Sequence, residues 1–195
     1  MASNEIWQWS AVETAQAIRT GQASAEEVMQ AHVARLQAAN PALNAVVVDM
    51  TADALERARA ADKTQATGAE LGSLHGVPVT VKINVDVEGQ ANSNGVTGLA
   101  HMVAPGDAPI VSNLRRAGAI VLGLTNTPEF SLRGFTDNPL HGQTRNPWDP
   151  ALTCGGSSGG AGAAVPAGVP RSRRFRSFAG RRSAARSISW KVWFT

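Results

Sequence analysis

Two adjacent serines, Ser157 and Ser158, stand between glycine pairs in Cys154-Gly-Gly-Ser-Ser-Gly-Gly-Ala161, and Lys82 closes the run Val77-Pro-Val-Thr-Val-Lys82. Glycines let a backbone adopt conformations closed to other residues and come close to a ligand. A serine hydroxyl is a poor nucleophile until a base removes its proton in the transition state. Lysine serves as that base only when burial lowers its pKa from an ordinary value of about 10.4. A second serine can carry the proton between a lysine and a hydroxyl too distant for direct contact. Plainer readings stand beside these. A lysine on the polar face of a strand is usually solvated, a Gly/Ser stretch is usually a linker, and Ser158 fits a helix N-cap. Cys154 has no convincing His or Asn partner and reads as a packed small residue. His32, His75, His101 and His141 show no metal-ligand spacing, and the loop lacks the G-x-x-x-x-G-K-[ST] pattern of a phosphate cradle. No metal and no cofactor is expected.

The elements that must hold these residues alternate between helix and strand, as in α/β folds. Ser10-Ala-Val-Glu13 and Ser24-Ala-Glu-Glu27 are capping boxes. The first predicts a helix to Thr20 with Gly21 as its stop. The second predicts a helix to about Ala39, carrying Met29, Val33 and Leu36 on one face and ended by Asn40-Pro41. Residues 45–48 read as a short buried strand, 52–62 as an Ala-rich helix and 64–73 as loop. From Val77 to Val87 the valines and Ile83 alternate with Pro78, Thr80, Lys82, Asn84 and Asp86, which predicts a strand over the first part. Asp107-Ala-Pro-Ile110 predicts a helix with an acidic cap, an early proline and a buried stripe of Val111, Leu114 and Ala117, stopped at Gly118. Residues 119–124 are the next strand. No periodicity survives from Thr125 to Leu152, and loops of that length are usually functional or disordered. Residues 159–168 suit a tightly packed helix that Pro166 should kink or shorten.

Charge divides the chain. Residues 1–170 carry ten Lys+Arg against fifteen Asp+Glu, whereas residues 171–195 carry seven arginines, Lys191 and no acid. The net charge of +3 comes from the tail. No apolar run approaches the roughly 20 residues that cross a bilayer. The N-terminus lacks the pattern of a secretory signal, and the single cysteine excludes an internal disulfide. A cytoplasmic setting is expected.

Several phrases, in order, resemble the amidase signature family. They are Asn40-Pro-Ala-Leu-Asn-Ala-Val46, Gly76-Val-Pro-Val-Thr-Val-Lys82, Asn113-Leu-Arg-Arg-Ala-Gly-Ala-Ile120 and Thr125-Asn-Thr-Pro-Glu-Phe130, then Thr144-Arg-Asn-Pro-Trp-Asp149 and Gly155-Gly-Ser-Ser-Gly-Gly160. The resemblance covers about residues 8–169. It implies an α/β fold, the N-terminal and incomplete part of an α/β/α sandwich with a mixed central sheet. It implies an amidase that hydrolyses carboxamide C–N bonds of small molecules through a serine acyl-enzyme. Carried over residue by residue, Lys82 is the terminal base. Ser157, preceded by a cis peptide bond, is the proton relay, and Gly155, Gly156 and Ser158 form the substrate-binding or oxyanion loop. The nucleophilic serine of the family falls at the position of Arg181, where no Gly-Gly-Ser phrase is found.

Residues 1–170 therefore read as the N-terminal part of an amidase signature domain, and 171–195 as an Arg/Ser-rich tail. Such text is what out-of-frame translation of a GC-rich gene produces, and the chain is expected to be a truncated, inactive form. The alternative is a nucleic-acid or anionic-surface binder, its arginines pairing phosphates while Phe175, Phe178, Trp190 and Trp193 stack on bases. The first reading expects no nucleic-acid partner.

Overall fold

The computed structural model describes residues 5–170, so the basic tail and the position of Arg181 lie outside the described residues. Both capping boxes form as their sequences require. Ser10 Oγ accepts from the Glu13 amide and the Glu13 carboxylate accepts from the Ser10 amide, opening α1 (Ala11–Arg19). Ser24 and Glu27 repeat the exchange at α2 (Ala25–Leu43). The same terminus gains a partner from a distance. The Asp62 carboxylate accepts from the Ala25 and Glu26 amides at 2.7 and 3.0 Å, satisfying two more orphan donors with a negative charge.

The α2 helix does not end at Asn40-Pro41. It carries Pro41 inside its last turn and continues to Leu43, closing on Asn44 in the left-handed region at φ +50°. A proline there removes one backbone donor, and the Asn40 side chain secures the chain beyond it. Asn40 Oδ1 accepts from the Ala45 and Val46 amides, and Nδ2 donates to the Val46 carbonyl. The chain thus turns directly into β1 (Val46–Asp49). The α3 helix (Thr51–Ala66) is longer than its apolar spacing suggested. Asp49 Oδ1 receives the Thr51 amide at its start, and the last turn extends into what reads as loop.

A three-stranded mixed sheet has the order β1, β3, β2. The central strand β3 (Ile120–Thr125) is buried along its whole length. It runs parallel to β2 (Pro78–Lys82) and antiparallel to β1. Val79 pairs with Val121 but Thr80 with Gly123, which leaves Leu122 as an extra, bulged residue. The bulge resets the alternation. Ile120 and Leu122 join Ile18, Val28, Met29, Leu36, Ala54 and Ala163 on one face of the sheet. Val121 and Leu124 join Met50, Val81, Ile83, Val87 and Val111 on the other. Gly123 is required because a Cβ there would lie 2.6 Å from the Val48 carbonyl oxygen.

Pro109 opens α4 (Pro109–Arg116), but Asp107 does not cap it. The cap position is Ala108. Asp107 accepts the Glu88 amide with one oxygen and lies 2.8 Å from Arg115 Nε with the other. Of the expected stripe only Val111 is buried, because the first turn alone meets the second cluster. Residues 126–158 hold the short 3-10 turn Glu129–Ser131 and an isolated bridge between Arg145 and Thr153. The last helix, α5 (Gly159–Ala164), stops two residues before Pro166. No described helix is long and apolar enough to cross a membrane.

Candidate active site

Lys82 is the last residue of β2, opposite Thr125 on the central strand. The strand's apolar face is locked into the second cluster by Val81 and Ile83, so the intervening lysine points out of it. Its side chain is half-buried, and Nζ donates to Ser157 Oγ at 2.8 Å. None of the ion pairs among the described residues involves it. Burial without a compensating carboxylate pushes the lysine pKa below its ordinary value. That direction raises the share of free amine able to take a proton.

Ser157 sits in the turn before α5, and the Gly156–Ser157 peptide bond is cis. Gly155 adopts φ +84°, a conformation open to glycine. A Cβ on Gly156 would lie 2.6 Å from the Phe135 amide nitrogen, so only glycine lets the loop pass under residues 133–135. Ser158 occupies the cap position of α5, yet its side chain makes no capping bond. The structure therefore brings Lys82, Gly155, Gly156, Ser157 and Ser158 to one place.

The supports of this loop lie outside the sequence phrases that mark the site. Thr136, 2% exposed, donates through Oγ1 to the Gly155 carbonyl and accepts from the Gly159 amide. Thr127, fully buried, donates to the Ser157 carbonyl at 3.0 Å. Behind them Asn126 Oδ1 accepts from Asn138 Nδ2 and from the Thr127 amide, while Asn126 Nδ2 donates to Gly142 O and Thr144 Oγ1. Thr144 Oγ1 donates to the Asn44 carbonyl at the end of α2. The signal was present in the Asn/Thr density of Thr125-Asn-Thr and Thr136-Asp-Asn138 within an aperiodic stretch. Buried loop backbone needs such side-chain partners because no ladder satisfies it.

Cys154 is held apart from this chemistry. Its thiol donates to the Thr144 carbonyl, and burial pushes its pKa up, away from the reactive thiolate. His141 Nε2 lies 3.2 Å from Ser93 Oγ, and its amide donates to Asn138 Oδ1. No group of three or more His, Cys, Asp or Glu able to hold a metal ion occurs among the described residues.

The amidase family model matches residues 27–170. An indoleacetamide hydrolase from Bradyrhizobium diazoefficiens is 66% identical over 164 residues, covering 84% of this chain and 31% of that protein. An acylamidase from Rhodococcus erythropolis is 42% identical, covering 87% of this chain and 35% of its own. Among solved structures, a bacterial aryl acylamidase of the amidase signature family superposes with a TM-score of 0.78 at 32% identity, over 83% of this chain and 34% of that one. This chain thus spans about a third of the length of the relatives it matches. From the motifs, the mixed sheet and these matches together, the chain belongs to the amidase signature family.

Proposed function

We propose that this chain supplies the base and the relay serine of an amidase that cleaves carboxamide C–N bonds through a serine acyl-enzyme. The observation that carries this reading is the 2.8 Å contact from a half-buried, uncompensated Lys82 to Ser157 Oγ. Neutral Lys82 takes the Ser157 proton as Ser157 takes that of the attacking hydroxyl. The new C–O bond forms at the carboxamide carbon, and the resulting oxyanion lies against the loop of Gly155, Gly156 and Ser158. The proton returns by the same route to the leaving nitrogen as the C–N bond breaks, and water then hydrolyses the ester.

The 66% identity to an indoleacetamide hydrolase supports a primary carboxamide carried on a flat aromatic group. Phe135, whose main chain passes against Gly156, leaves its ring exposed and suits such a group. A cytoplasmic setting fits a chain with one unpaired cysteine. The position equivalent to the family nucleophile holds Arg181, which cannot form an acyl-enzyme, so the chain alone is expected to release no ammonia from indole-3-acetamide.

The test is a chimera in which residues 8–169 replace the matching part of the Bradyrhizobium relative. It should release ammonia from indole-3-acetamide, and Lys82→Ala or Ser157→Ala should each lower kcat/KM by about 10³-fold or more. A folded chimera whose turnover survives both substitutions refutes the assignment.

A further inference from the structure

Resting on the assignment of Lys82 and Ser157 above, we infer that Asn94, Ser131 and Thr127 form a one-way chain of hydrogen-bond donors that ends on the Ser157 carbonyl, and that Ser131 is a positioning residue for Ser157. Three oxygen contacts run in series. Thr127 Oγ1 lies 3.0 Å from Ser157 O, Ser131 Oγ lies 2.8 Å from Thr127 Oγ1, and Asn94 Oδ1 lies 2.8 Å from Ser131 Oγ. Two hydroxyl protons cannot serve three oxygen–oxygen contacts. A carbonyl has no proton, so Thr127 must give its own to Ser157. Ser131 must then give its proton to Thr127, which leaves the last contact with none. The Asn amide is nearly symmetric in shape, and turning it by 180° places Nδ2–H on Ser131 Oγ. Every contact then has one proton, and all three point toward Ser157.

The backbone is bent to make this possible. Phe130 and Ser131 adopt φ +51° and +58°, and Asn94 adopts +46°. Such conformations are unfavourable for side-chain-bearing residues and cluster where surrounding structure demands them. Here the Phe130 amide donates to the Asn94 carbonyl, clasping the two turns face to face. The strain aims the Ser131 hydroxyl between Asn94 and Thr127. Thr127 holds Ser157 at its main-chain carbonyl and Lys82 holds it at its hydroxyl, so the residue is fixed at both main chain and side chain.

Ser131→Gly tests the assignment because glycine favours the same φ but deletes the hydroxyl. Thr127→Val deletes the next donor at nearly constant volume. The readout is the titration midpoint of Lys82 by NMR of ε-¹³C-lysine, since the chain has only three lysines, Lys63, Lys82 and Lys191. Each variant should loosen Ser157, admit water to the ammonium and raise the midpoint by about half a pH unit, a roughly threefold change in free amine. The double variant should move no further, as expected for groups acting in one chain. A purely structural turn residue would leave the midpoint fixed while Ser131→Gly kept or raised the Tm, and that result overturns the chain. An ordinary lysine midpoint in the unaltered protein instead refutes Lys82 as the base. The donor chain is then still decided by the Asn94 side-chain amide. One Nδ2 proton should exchange slowly in the unaltered protein and freely in Ser131→Gly, and fast exchange in both overturns it.

Discussion

One hydroxyl, that of Thr136, serves two backbone groups of the glycine loop at once, donating to Gly155 and accepting from Gly159. Thr136→Val leaves the buried Gly159 amide unpaired and the Gly155 carbonyl with only the weak Cys154 thiol, and unfolding free energy in urea should fall by about 1–3 kcal/mol. A second residue-scale consequence concerns His32 on α2. It is 2% exposed with Nδ1 unpartnered, and burial lowers its pKa to about 4. An unfolded histidine titrates at about 6.5, so between these values the unfolded chain binds more protons. Stability is therefore full above about pH 6.5 and declines as pH falls toward 4, by about 3 kcal/mol at most. Urea midpoints at pH 7, 5.5 and 4.5 should show this slope, and His32→Leu should flatten it. An unchanged slope in the variant would assign the effect to other groups.

At the scale of elements, the bulge in β3 decides which face each apolar residue serves, and Gly123 lets β1 approach it. Gly123→Ala should part the two strands and lower the Tm by several degrees, more than Gly98→Ala, where a Cβ meets nothing within 4 Å. Both capping boxes, the alternation through Lys82 and the stop before Pro166 were legible because each is a local device with a short-range cause. The run of α2 past Pro41, the role of Asp107 and the bulge at Leu122 were not. Each depends on a placement fixed only in three dimensions: the Asn40 amide turned onto residues 45 and 46, Asp107 drawn to the Glu88 amide and Arg115, or the offset of a neighbouring strand. The site divides in the same way. Lys82 and the Gly155–Ser158 loop stand out as phrases, whereas Thr127, Thr136 and Asn138 matter through the backbone and side-chain partners that folding brings to them.

For the whole described unit, β1 and β2 each pair on one side only, with β3. Phe130, Leu132, Phe135, Trp148 and Leu152 are also exposed. Open strand edges and apolar surface both favour association. Sedimentation velocity should show concentration-dependent association, and Leu132→Lys with Trp148→Lys should weaken it. A monomer at every concentration would mean that these groups find cover elsewhere.

The contact from Lys82 to Ser157 spans 75 residues, and the parallel pairing that carries Lys82 links β2 to a strand reached only after α4. Such closures lose chain entropy before any contact rewards them, so they slow the approach to the native state. The Lys82–Ser157 contact is therefore expected to form late, after the folding transition state. Ser157→Ala should speed unfolding in stopped-flow urea jumps while leaving the refolding arm in place. A slowed refolding arm would instead place this pair in the folding nucleus. If Lys82 is the base proposed above, its chemistry exists only after the sheet has closed, so the nascent chain carries an ordinary solvated lysine.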